Sequence, residues 1–559
     1  MDLYTILGVI LAVIVAAFLL GLRDRQNARK RLTEKLNNNY GKAPEREYKE
    51  GELSHITGYF KKHTESFYID DITWNDLDMD SVYKRMNYCL SAAGEEYLYY
   101  MLRCPEMEDD FAFFEEQVQV FLKNRDFRLR MQLIYADIGK SSKYSIYDYL
   151  DFLDSARIST NARHFVMLLL MALSVLLCFF NFALGFVALI VLMLAQIVMY
   201  FQIKAQIDPY LVTYGYIMRV IKGVGSFSGV REAAFAKDME ELKKAASELG
   251  SFKAGADIIL SPTGMNSSGN PVDLVMDYVR MVTHIDIIKF NQMYRQIMQK
   301  KDRLDDILRI TGRIEAEISV ACFRASFDGR YSLPEFTGSG YDAKELIHPL
   351  IESAVPNDIT TKRGVLLTGS NASGKSTFLK TCAINACLSQ SIHTSLSSSY
   401  RAPFYRVYSS MALRDDIFMG ESYYMVEIKS IKRILDAAGE EGRRVLCFVD
   451  EVLRGTNTVE RIAASTEILR ELSARNVTCF AATHDIELTA LLDDCFDVCH
   501  FEGDISGDDV KFDYRIRIGA ATTRNAIKLL GVLGYDLRVV EKAQKKADAF
   551  TREGKWEKT

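Results

Sequence analysis

The sequence predicts a C-terminal α/β domain preceded by an all-α region that carries membrane-spanning helices. Three short apolar runs end in polar residues, which is typical of buried parallel strands: 365–368, 445–449 and 477–483. Upstream of these runs, apolar residues recur with helical spacing over three stretches: 111–134, 232–249 and 272–323. Two further stretches, 3–22 and 165–203, contain no charged residue.

The composition is that of a multidomain globular protein. The chain has 559 residues, which corresponds to about three or four domains of ordinary size. Hydrophobic residues make up 48% and charged residues 26%, which excludes a disordered or fibrous chain. The net charge of −5 excludes a polycationic coat for nucleic acid, so any contact with nucleic acid requires a local basic face.

The ten cysteines show no framework spacing and no CxxC pair, which indicates reduced thiols in the cytosol. Cys495, Cys499 and His500 lie close together in the sequence and are therefore candidate metal ligands. The alternative is that these cysteines are small buried apolar residues, which is the commoner role.

The first uncharged stretch predicts a membrane anchor at residues 1–22. A helix of about 20 residues is about 30 Å long, which matches the apolar core of a bilayer. Only Met1 and Asp2 precede the stretch, and basic residues follow it: Arg23, Arg25, Arg29, Lys30 and Arg31. This order is the reverse of a signal peptide and predicts a retained anchor with its basic flank inside. A buried core helix is the alternative.

The second uncharged stretch is too long for one span and has about the right length for two. Asn181 and Gly185 lie near its middle, where a tight reversal would occur, so residues 163–203 are predicted to form a helical hairpin. Basic residues flank both ends, which places both ends on the cytoplasmic side. A single long tilted span is the alternative.

The sequence GSNASGKST at 369–377 lies between a predicted strand and a predicted helix at 378–389, which is the context of a P-loop. Its glycines let backbone N–H groups turn toward phosphates, and the helix N-terminus adds its positive dipole end. Lys375 is expected to reach the β- and γ-phosphates, and the Ser376 hydroxyl to bind Mg²⁺. The predicted nucleotide-binding residues are Gly369, Ser370, Asn371, Ala372, Ser373, Gly374, Lys375, Ser376 and Thr377. The predicted cofactors are ATP and Mg²⁺.

Acidic residues and a histidine at the ends of two other predicted strands are expected to complete this site. Asp450 follows the apolar run 445–449 and is expected to hold the Mg²⁺ hydration shell. Glu451 would orient or deprotonate the attacking water, and a loop N-cap is the alternative for this acidic pair. His484 would sense the γ-phosphate. Because ATP is cytoplasmic, this site favours the hairpin, with about three spans and everything from residue 204 onward in the cytoplasm.

The motifs around this site resemble those of the MutS family of mismatch-repair ATPases. The loop GSNASGKST is similar to that family's GPNMGGKST and keeps its asparagine, Asn371. Asp450-Glu451 followed by the segment 454–458 is similar to its DE-xx-RGTST. Further stretches similar to segments of that family are His348-Pro349 with 355–358, Asp415-Asp416 with 420–427, and Thr483-His484 with 487–489. The resemblance covers about 345–535 and follows the family's order.

The resemblance implies an ABC-type MutS ATPase that hydrolyses ATP to ADP and phosphate as a homodimer with composite nucleotide sites. Ser422 would contact the nucleotide of the partner protomer, and a simple helix N-cap is the alternative role. Asn371 would also lie near that interface. The resemblance further implies binding of mismatched or branched DNA and a role in mismatch repair.

Two departures from the family's pattern leave two functions open. The family's mismatch-reading N-terminal domain has no counterpart in this sequence. The sequence is also too short to contain the DNA clamp that the family carries between two of its helices, called lever helices. The protein is therefore predicted to be either a MutS-like ATPase that handles DNA at the membrane, or a membrane-tethered, ATP-driven conformational machine for signalling, defence or membrane remodelling that does not bind DNA. The predicted segments are 1–22 (anchor), 23–162 (first part of the helical core), 163–203 (hairpin), 204–335 (second part of the core), 340–540 (ATPase domain) and 541–559 (basic tail).

Overall fold

The computed structural model describes most of the chain between residues 23 and 556. The residues outside this description are 1–22, 25, 142–144, 156–159, 250–277, 371–372, 412–422, 441, 443, 476, 507–508, 522–526, 528–529, 532–533, 555 and 557–559. The predicted anchor at 1–22 therefore lies outside the described residues.

The N-terminal part is helical, and the part after it is mixed α/β, which confirms the predicted order. The helices of the first part are α1 (Gly58–Lys62), α2 (Asp71–Asp76), α3 (Met79–Met86), α4 (Ala92–Arg103), α5 (Ala112–Lys123), α6 (Arg125–Ile138), α7 (Ile146–Ser155), α8 (Ala162–Phe180), α9 (Phe182–Ser226), α10 (Ala236–Glu248), α11 (Ile285–Gln299) and α12 (Lys301–Ala325). Short 3₁₀ turns lie at Glu52–Ile56, Phe227–Gly229 and Ala233–Phe235.

Two of the predicted helical stretches are each divided in the structure. The stretch 111–134 contains α5 and α6, which meet at Asn124, whose side chain accepts a hydrogen bond from the backbone N–H of Phe127 at 3.1 Å. This is an N-cap that starts a new helix. The stretch 272–323 is likewise interrupted at Lys300, between α11 and α12. Because both helices of each pair bury apolar residues in the same core, the periodicity continues across the break.

The helices α8 and α9 form a hairpin that reverses at Asn181. The Asn181 side chain caps α9 by accepting a hydrogen bond from the backbone N–H of Leu184 at 3.2 Å. Gly185 lies against α8 so closely that a Cβ atom there would be 2.4 Å from the backbone nitrogen of Cys178. The absence of a side chain thus lets the two helices approach immediately after the turn.

The apolar side chains of this hairpin point outward. Phe179 and Phe180 are more than four-fifths exposed, and most of the other large hydrophobic side chains of the hairpin are also exposed. Within the described residues, Ala162–Phe180 and Phe182–Asp208 are long and apolar enough to cross a membrane. Helix α9 has 45 residues, or about 68 Å, and its C-terminal part is buried in the helical core at Tyr214 and Tyr216. A single continuous helix, α9, therefore joins the hairpin to the helical core.

In its described residues, the α/β part contains two sheets. Its strands are β1 (Glu335–Phe336), β2 (Tyr341–Leu346), β3 (Asn357–Thr361), β4 (Gly364–Gly369), β5 (Ser399–Ala402), β6 (Arg406–Ser410), β7 (Val445–Asp450), β8 (Val477–Ala482), β9 (Phe496–Ser506) and β10 (Asp509–Ile518). The larger sheet has the order β10-β9-β4-β8-β7-β6 and is parallel except for β10, and the smaller has the order β1-β5-β2-β3. Its helices are α13 (Lys375–Ile392), α14 (Tyr423–Ala438), α15 (Thr458–Ala474), α16 (Glu487–Leu491) and α17 (Leu537–Glu553).

The order of the larger sheet brings the carboxyl ends of β4, β7 and β8 to one edge. Asp450 at the end of β7 pairs in register with Ala482 at the end of β8, and β4 lies on the other side of β8. The three apolar runs of the sequence are these strands, and all three are buried at their centres. Helix α17 crosses the predicted boundary at residue 541, so the predicted C-terminal tail continues a helix that begins in the α/β part.

The helical part and the α/β part share one hydrophobic core. A single cluster of buried residues extends from Ile56 through the helices to Phe501 in β9, and it includes one face of the larger sheet. A second cluster fills the other face of that sheet, beneath α14 and α15. The two parts are therefore packed on one another rather than linked only by a flexible connection.

Candidate nucleotide site

The P-loop begins and ends with glycines in backbone conformations that other residues rarely adopt. Gly369 has φ 138° at the end of β4, and Gly374 has φ 106° immediately before α13. A Cβ atom on Gly374 would also lie 3.2 Å from the ring of Tyr514. Two of the predicted binding residues, Asn371 and Ala372, lie outside the described residues.

Several polar groups converge on this loop. Within the described residues, the buried hydroxyl oxygens of Ser370 and Ser373 have no hydrogen-bond partner. The Lys375 ammonium donates to the carbonyl oxygens of Gly369 and Ser370 at 2.8 and 2.9 Å. Burial lowers the pKa of Lys375 to about 8, although the Asp450 and Glu451 carboxylates oppose this shift. Hydroxyl and ammonium groups of this kind fit the oxygens of a triphosphate.

Ser376 and Asp450 meet at the same edge of the sheet. The Ser376 hydroxyl donates to Asp450 Oδ2 at 2.6 Å, which joins the start of α13 to the end of β7. A hydroxyl and a carboxylate oxygen at this separation are hard donors of the type that Mg²⁺ prefers. The donor set therefore fits the predicted ion.

Glu451 follows Asp450, and its carboxylate contacts the side chains of His484 and Arg454. The Glu451 backbone has φ 63°, and its N–H donates to the carbonyl oxygen of Ala482 at 2.9 Å. His484 Nε2 lies 2.8 Å from one carboxylate oxygen and Arg454 Nε lies 2.7 Å from the other. Burial raises the pKa of Glu451, but the hydrogen bond from His484 and the Arg454 charge outweigh it, so the pKa lies below its usual value. The carboxylate is ionised at neutral pH and can accept a proton.

The structure thus brings Lys375, Ser376, Asp450, Glu451 and His484 together. His484 contacts Glu451 directly, so a role in orienting that carboxylate stands beside the predicted sensing of the γ-phosphate. Ser422 lies outside the described residues.

Two residues to which the sequence assigned no role also shape this edge. Arg454 binds Glu451 and donates to the backbone carbonyl of Asp450 at 3.1 Å. Glu427 on α14 is buried and accepts the backbone N–H groups of Leu453 and Arg454 at 2.5 and 3.3 Å. Both residues belong to the stretches that carry the family resemblance, and that membership was the only signal in the sequence that could have marked them.

A cavity of about 380 Å³ lies beside the first turn of α13. Its walls include His348, Val355, Thr377, Phe378, Phe501 and Tyr514. Burial lowers the pKa of His348 to about 4, so its ring is neutral. A cavity of this size with aromatic walls, adjacent to the loop, fits a nucleobase and its sugar.

The metal-site interpretation of Cys495, Cys499 and His500 is wrong. Among the residues that the structure describes, no group of three or more His, Cys, Asp or Glu side chains could hold a metal ion. Cys499 and His500 are neighbours on β9, where successive side chains point to opposite faces. His500 Nδ1 instead lies 2.8 Å from the carbonyl oxygen of Gly519.

Comparison with known proteins agrees with this arrangement. The family model of MutS domain V, a P-loop ATPase domain, matches residues 365–551. The DNA mismatch repair protein MutS 2 of Halobacterium salinarum is 31% identical over 265 residues, which are 45% of this chain and 30% of that protein. The DNA mismatch repair protein MutS of Thermus aquaticus is 30% identical over 272 residues, which are 47% of this chain and 33% of that protein. The chain spans about a third of the length of these relatives. On these matches, residues 365–551 belong to the family of MutS domain V.

Proposed function

We propose that this protein is an ATPase that binds ATP with Mg²⁺ and hydrolyses it to ADP and phosphate. The observation that carries the proposal is the convergence of Lys375, Ser376, Asp450, Glu451 and His484 at one edge of a parallel sheet. Such an edge, outside the carboxyl ends of the strands, is where open α/β sheets bind ligands.

Each side chain has a defined part in this reaction. Lys375 binds the β- and γ-phosphates, with the backbone of residues 369–377 around them. Ser376 and Asp450 hold the Mg²⁺, which supplies positive charge for the phosphates. Glu451 accepts the proton of the attacking water, and His484 and Arg454 fix the direction of that carboxylate. The neutral His348 and the aromatic walls of the cavity hold the base.

Steady-state hydrolysis by the full chain in lipid nanodiscs tests this proposal. Lys375→Ala should lose ATP binding, and wild-type hydrolysis should stop when EDTA removes Mg²⁺. Lys362→Ala, an exposed lysine between β3 and β4, is the matched control and should retain the wild-type rate. Hydrolysis by Lys375→Ala at the wild-type rate would overturn the assignment of the site.

The active form is a homodimer that shares two composite sites. This part of the proposal rests on the family resemblance of the segment that contains Ser422, which would reach the nucleotide of the partner protomer. Size measurement by light scattering, with and without a non-hydrolysable ATP analogue, tests it. A monomer under both conditions would contradict it.

The hairpin of α8 and α9 is proposed to lie in the bilayer, with the ATPase domain in the cytoplasm. The outward-facing apolar side chains and the basic residues Arg163 and Lys204 at the base of the hairpin support this placement. With the anchor predicted at 1–22, the protein has about three spans. Extraction of membranes with alkaline carbonate tests the placement, since a peripheral protein is released and an integral one is not.

The ATP cycle has two candidate outputs. The relatives named as DNA mismatch repair proteins favour binding of mismatched or branched DNA. The packing of α9 into both the hairpin and the helical core favours a membrane-tethered conformational machine that does not bind DNA. The hydrolysis rate in nanodiscs should be measured with and without mismatched and four-way-junction DNA at low salt. A salt-sensitive increase supports the first output, and a rate that responds to lipid but not to DNA supports the second.

A further inference from the structure

The short helix α2 of the helical core contacts the ATPase domain at an edge strand. Among the strands that the structure describes, β6 ends the larger sheet and pairs only with β7, so the backbone groups on its outer side need other partners. Thr73 and Asp76 of α2 supply them. The Ser409 N–H donates to Thr73 Oγ1 at 3.1 Å, and Asp76 Oδ2 accepts from the Ser409 hydroxyl at 2.7 Å and from the Met411 N–H at 2.9 Å.

The end of β6 that Asp76 holds lies level with the catalytic acids. Ser409 is paired with Phe448, and Ser410 with Val449, the residue before Asp450. A shift of β6 along its axis would therefore act directly on the strand that ends in Asp450 and leads into Glu451.

The same helix also holds α14, on the far side of residues 412–422. Asp70, the N-cap of α2, forms an ion pair with Arg433 of α14. The Arg433 guanidinium donates in turn to the carbonyl oxygen of Ser409 at 2.5 Å. One element of the helical core thus contacts both β6 and α14.

From α14 the contacts continue to the hydrolytic carboxylate. Glu427 accepts the backbone N–H groups of Leu453 and Arg454, and Arg454 binds Glu451. Leu453 has φ 60°, so the turn that carries Arg454 has a conformation that depends on such contacts.

We infer that Asp76 is a positioning residue for ATP hydrolysis, through which the helical core sets the place of Glu451 by way of β6 and α14. This inference rests on the proposed ATPase function. Within the described residues, none of the contacts of α2 named here involves the P-loop, so the effect should fall on turnover rather than on binding of ATP.

The test compares Asp76→Ala with a matched variant in the same part of the core. Asp76→Ala should lower kcat by about tenfold or more, because small displacements of a catalytic group are costly. The KM for ATP should stay within about twofold of wild type, and Asp76→Asn, whose amide oxygen still accepts, should restore most of the rate. Asp80 accepts a hydrogen bond from Trp74 Nε1 at 2.8 Å within the core, so Asp80→Ala loses one carboxylate contact and should keep the wild-type kcat.

The contact can also be removed from the ATPase side. Ser409→Ala removes the hydroxyl that donates to Asp76 and should also lower kcat. This variant tests the inference even if Asp76→Ala does not fold. A wild-type kcat in Ser409→Ala and Asp76→Ala, or an equal loss in Asp80→Ala, would overturn the inference while leaving the ATPase intact. A wild-type rate no higher than that of Lys375→Ala would overturn the proposed ATPase, and this inference with it.

Discussion

The helical core is joined to the ATPase domain and to the hairpin by two buried polar joints of different character. In the ATPase joint, Arg324 at the end of α12 is fully buried and donates to both carboxylate oxygens of Glu115 at 2.8 and 2.9 Å. It also donates to the Thr394 hydroxyl at 2.8 Å and to the carbonyl oxygens of Ile392 and His393. These carbonyls lie at the C-terminal end of the P-loop helix α13, where a cation is favoured.

The hairpin joint combines one ion pair with a pair of imidazole rings. His164 of α8 and His284 face each other with their Nδ1 atoms 2.9 Å apart, and His284 Nε2 lies 2.9 Å from the Gln196 carbonyl oxygen. Lys204 of α9 lies 3.1 Å from an Asp286 carboxylate oxygen, which also accepts from the Tyr200 hydroxyl at 2.8 Å.

The difference shows where the molecule is held most firmly. The buried Arg324 guanidinium donates to four residues, and removal of the Glu115 carboxylate would leave its charge unpaired, which is strongly unfavourable. The imidazole pair shares its hydrogen bond between two groups that can both be neutral, so its loss costs less. We therefore expect the nucleotide site and the helical core to respond as one unit, and the imidazole pair to be the weakest of these buried contacts.

The largest expected effect is on the rate of ATP hydrolysis at the nucleotide site, on the ATPase side of this joint. Glu451→Gln should lower the hydrolysis rate by about a hundredfold or more, because the amide cannot accept the proton of water, while ATP binding remains. Single-turnover assays measure the rate, and light scattering should show an ATP-bound dimer that persists. Glu467→Gln on the exposed side of α15 is the control. Normal hydrolysis by Glu451→Gln would show that another group acts as the base.

The next largest effect should come from removing the central cation of the ATPase joint. Arg324→Ala leaves the Glu115 carboxylate without its main partner and should lower the free energy of unfolding by about 3–5 kcal/mol. Urea denaturation followed by the fluorescence of Trp74, which is buried in the core, measures it. Arg330→Ala nearby removes an exposed arginine and should change stability by less than about 0.5 kcal/mol. If Arg324→Ala were as stable as Arg330→Ala, the Arg324–Glu115 contact would not hold the ATPase joint together.

The ATPase joint should also have a characteristic dependence on pH. Burial raises the pKa of Glu115, but hydrogen bonds from His393 and Arg324 outweigh it and hold the pKa at about 2. Because this value is below that of the unfolded chain, the stabilisation is complete above about pH 4.5 and is lost as the pH falls toward 2. Glu115→Gln should thus be less stable than wild type by about 3 kcal/mol at pH 7, and the gap should narrow by pH 3. Urea midpoints at both values check this, and a constant gap would contradict it.

The smallest effect is expected on the hairpin side. Gly185→Val places atoms where the backbone of Cys178 lies, so α8 and α9 must separate near the turn, at a cost of about 1–3 kcal/mol. Thermal denaturation in nanodiscs should show the loss, whereas the affinity for ATP should not change. Ala183→Val, at an exposed position two residues earlier, is the control. A stability equal to that of the control would mean that the close packing at Gly185 is not needed.

Local sequence patterns predicted the elements and the positions of the site residues along the chain. The strand–loop–helix order around Lys375 and the acidic pair at the end of β7 were predicted because each depends on residues that are neighbours in sequence. The boundaries within 111–134 and 272–323 were missed because amphipathic periodicity continues across a break when two helices bury the same face. The metal-site interpretation around His500 was wrong because neighbours on a strand, such as Cys499 and His500, point to opposite faces of the sheet.

The sequence by itself determined the mixed α/β domain, the P-loop, the acidic edge and the uncharged stretch that forms the hairpin, because composition and local spacing control each of them. Only the tertiary structure decided the partners that hold these parts in place. Arg324 and Glu115 are 209 residues apart, Asp76 and Ser409 are 333 apart, and His164 and His284 are 120 apart. Contacts over such distances arise from the packing of whole elements, and no periodicity or local motif along one chain specifies which buried donor will meet which acceptor.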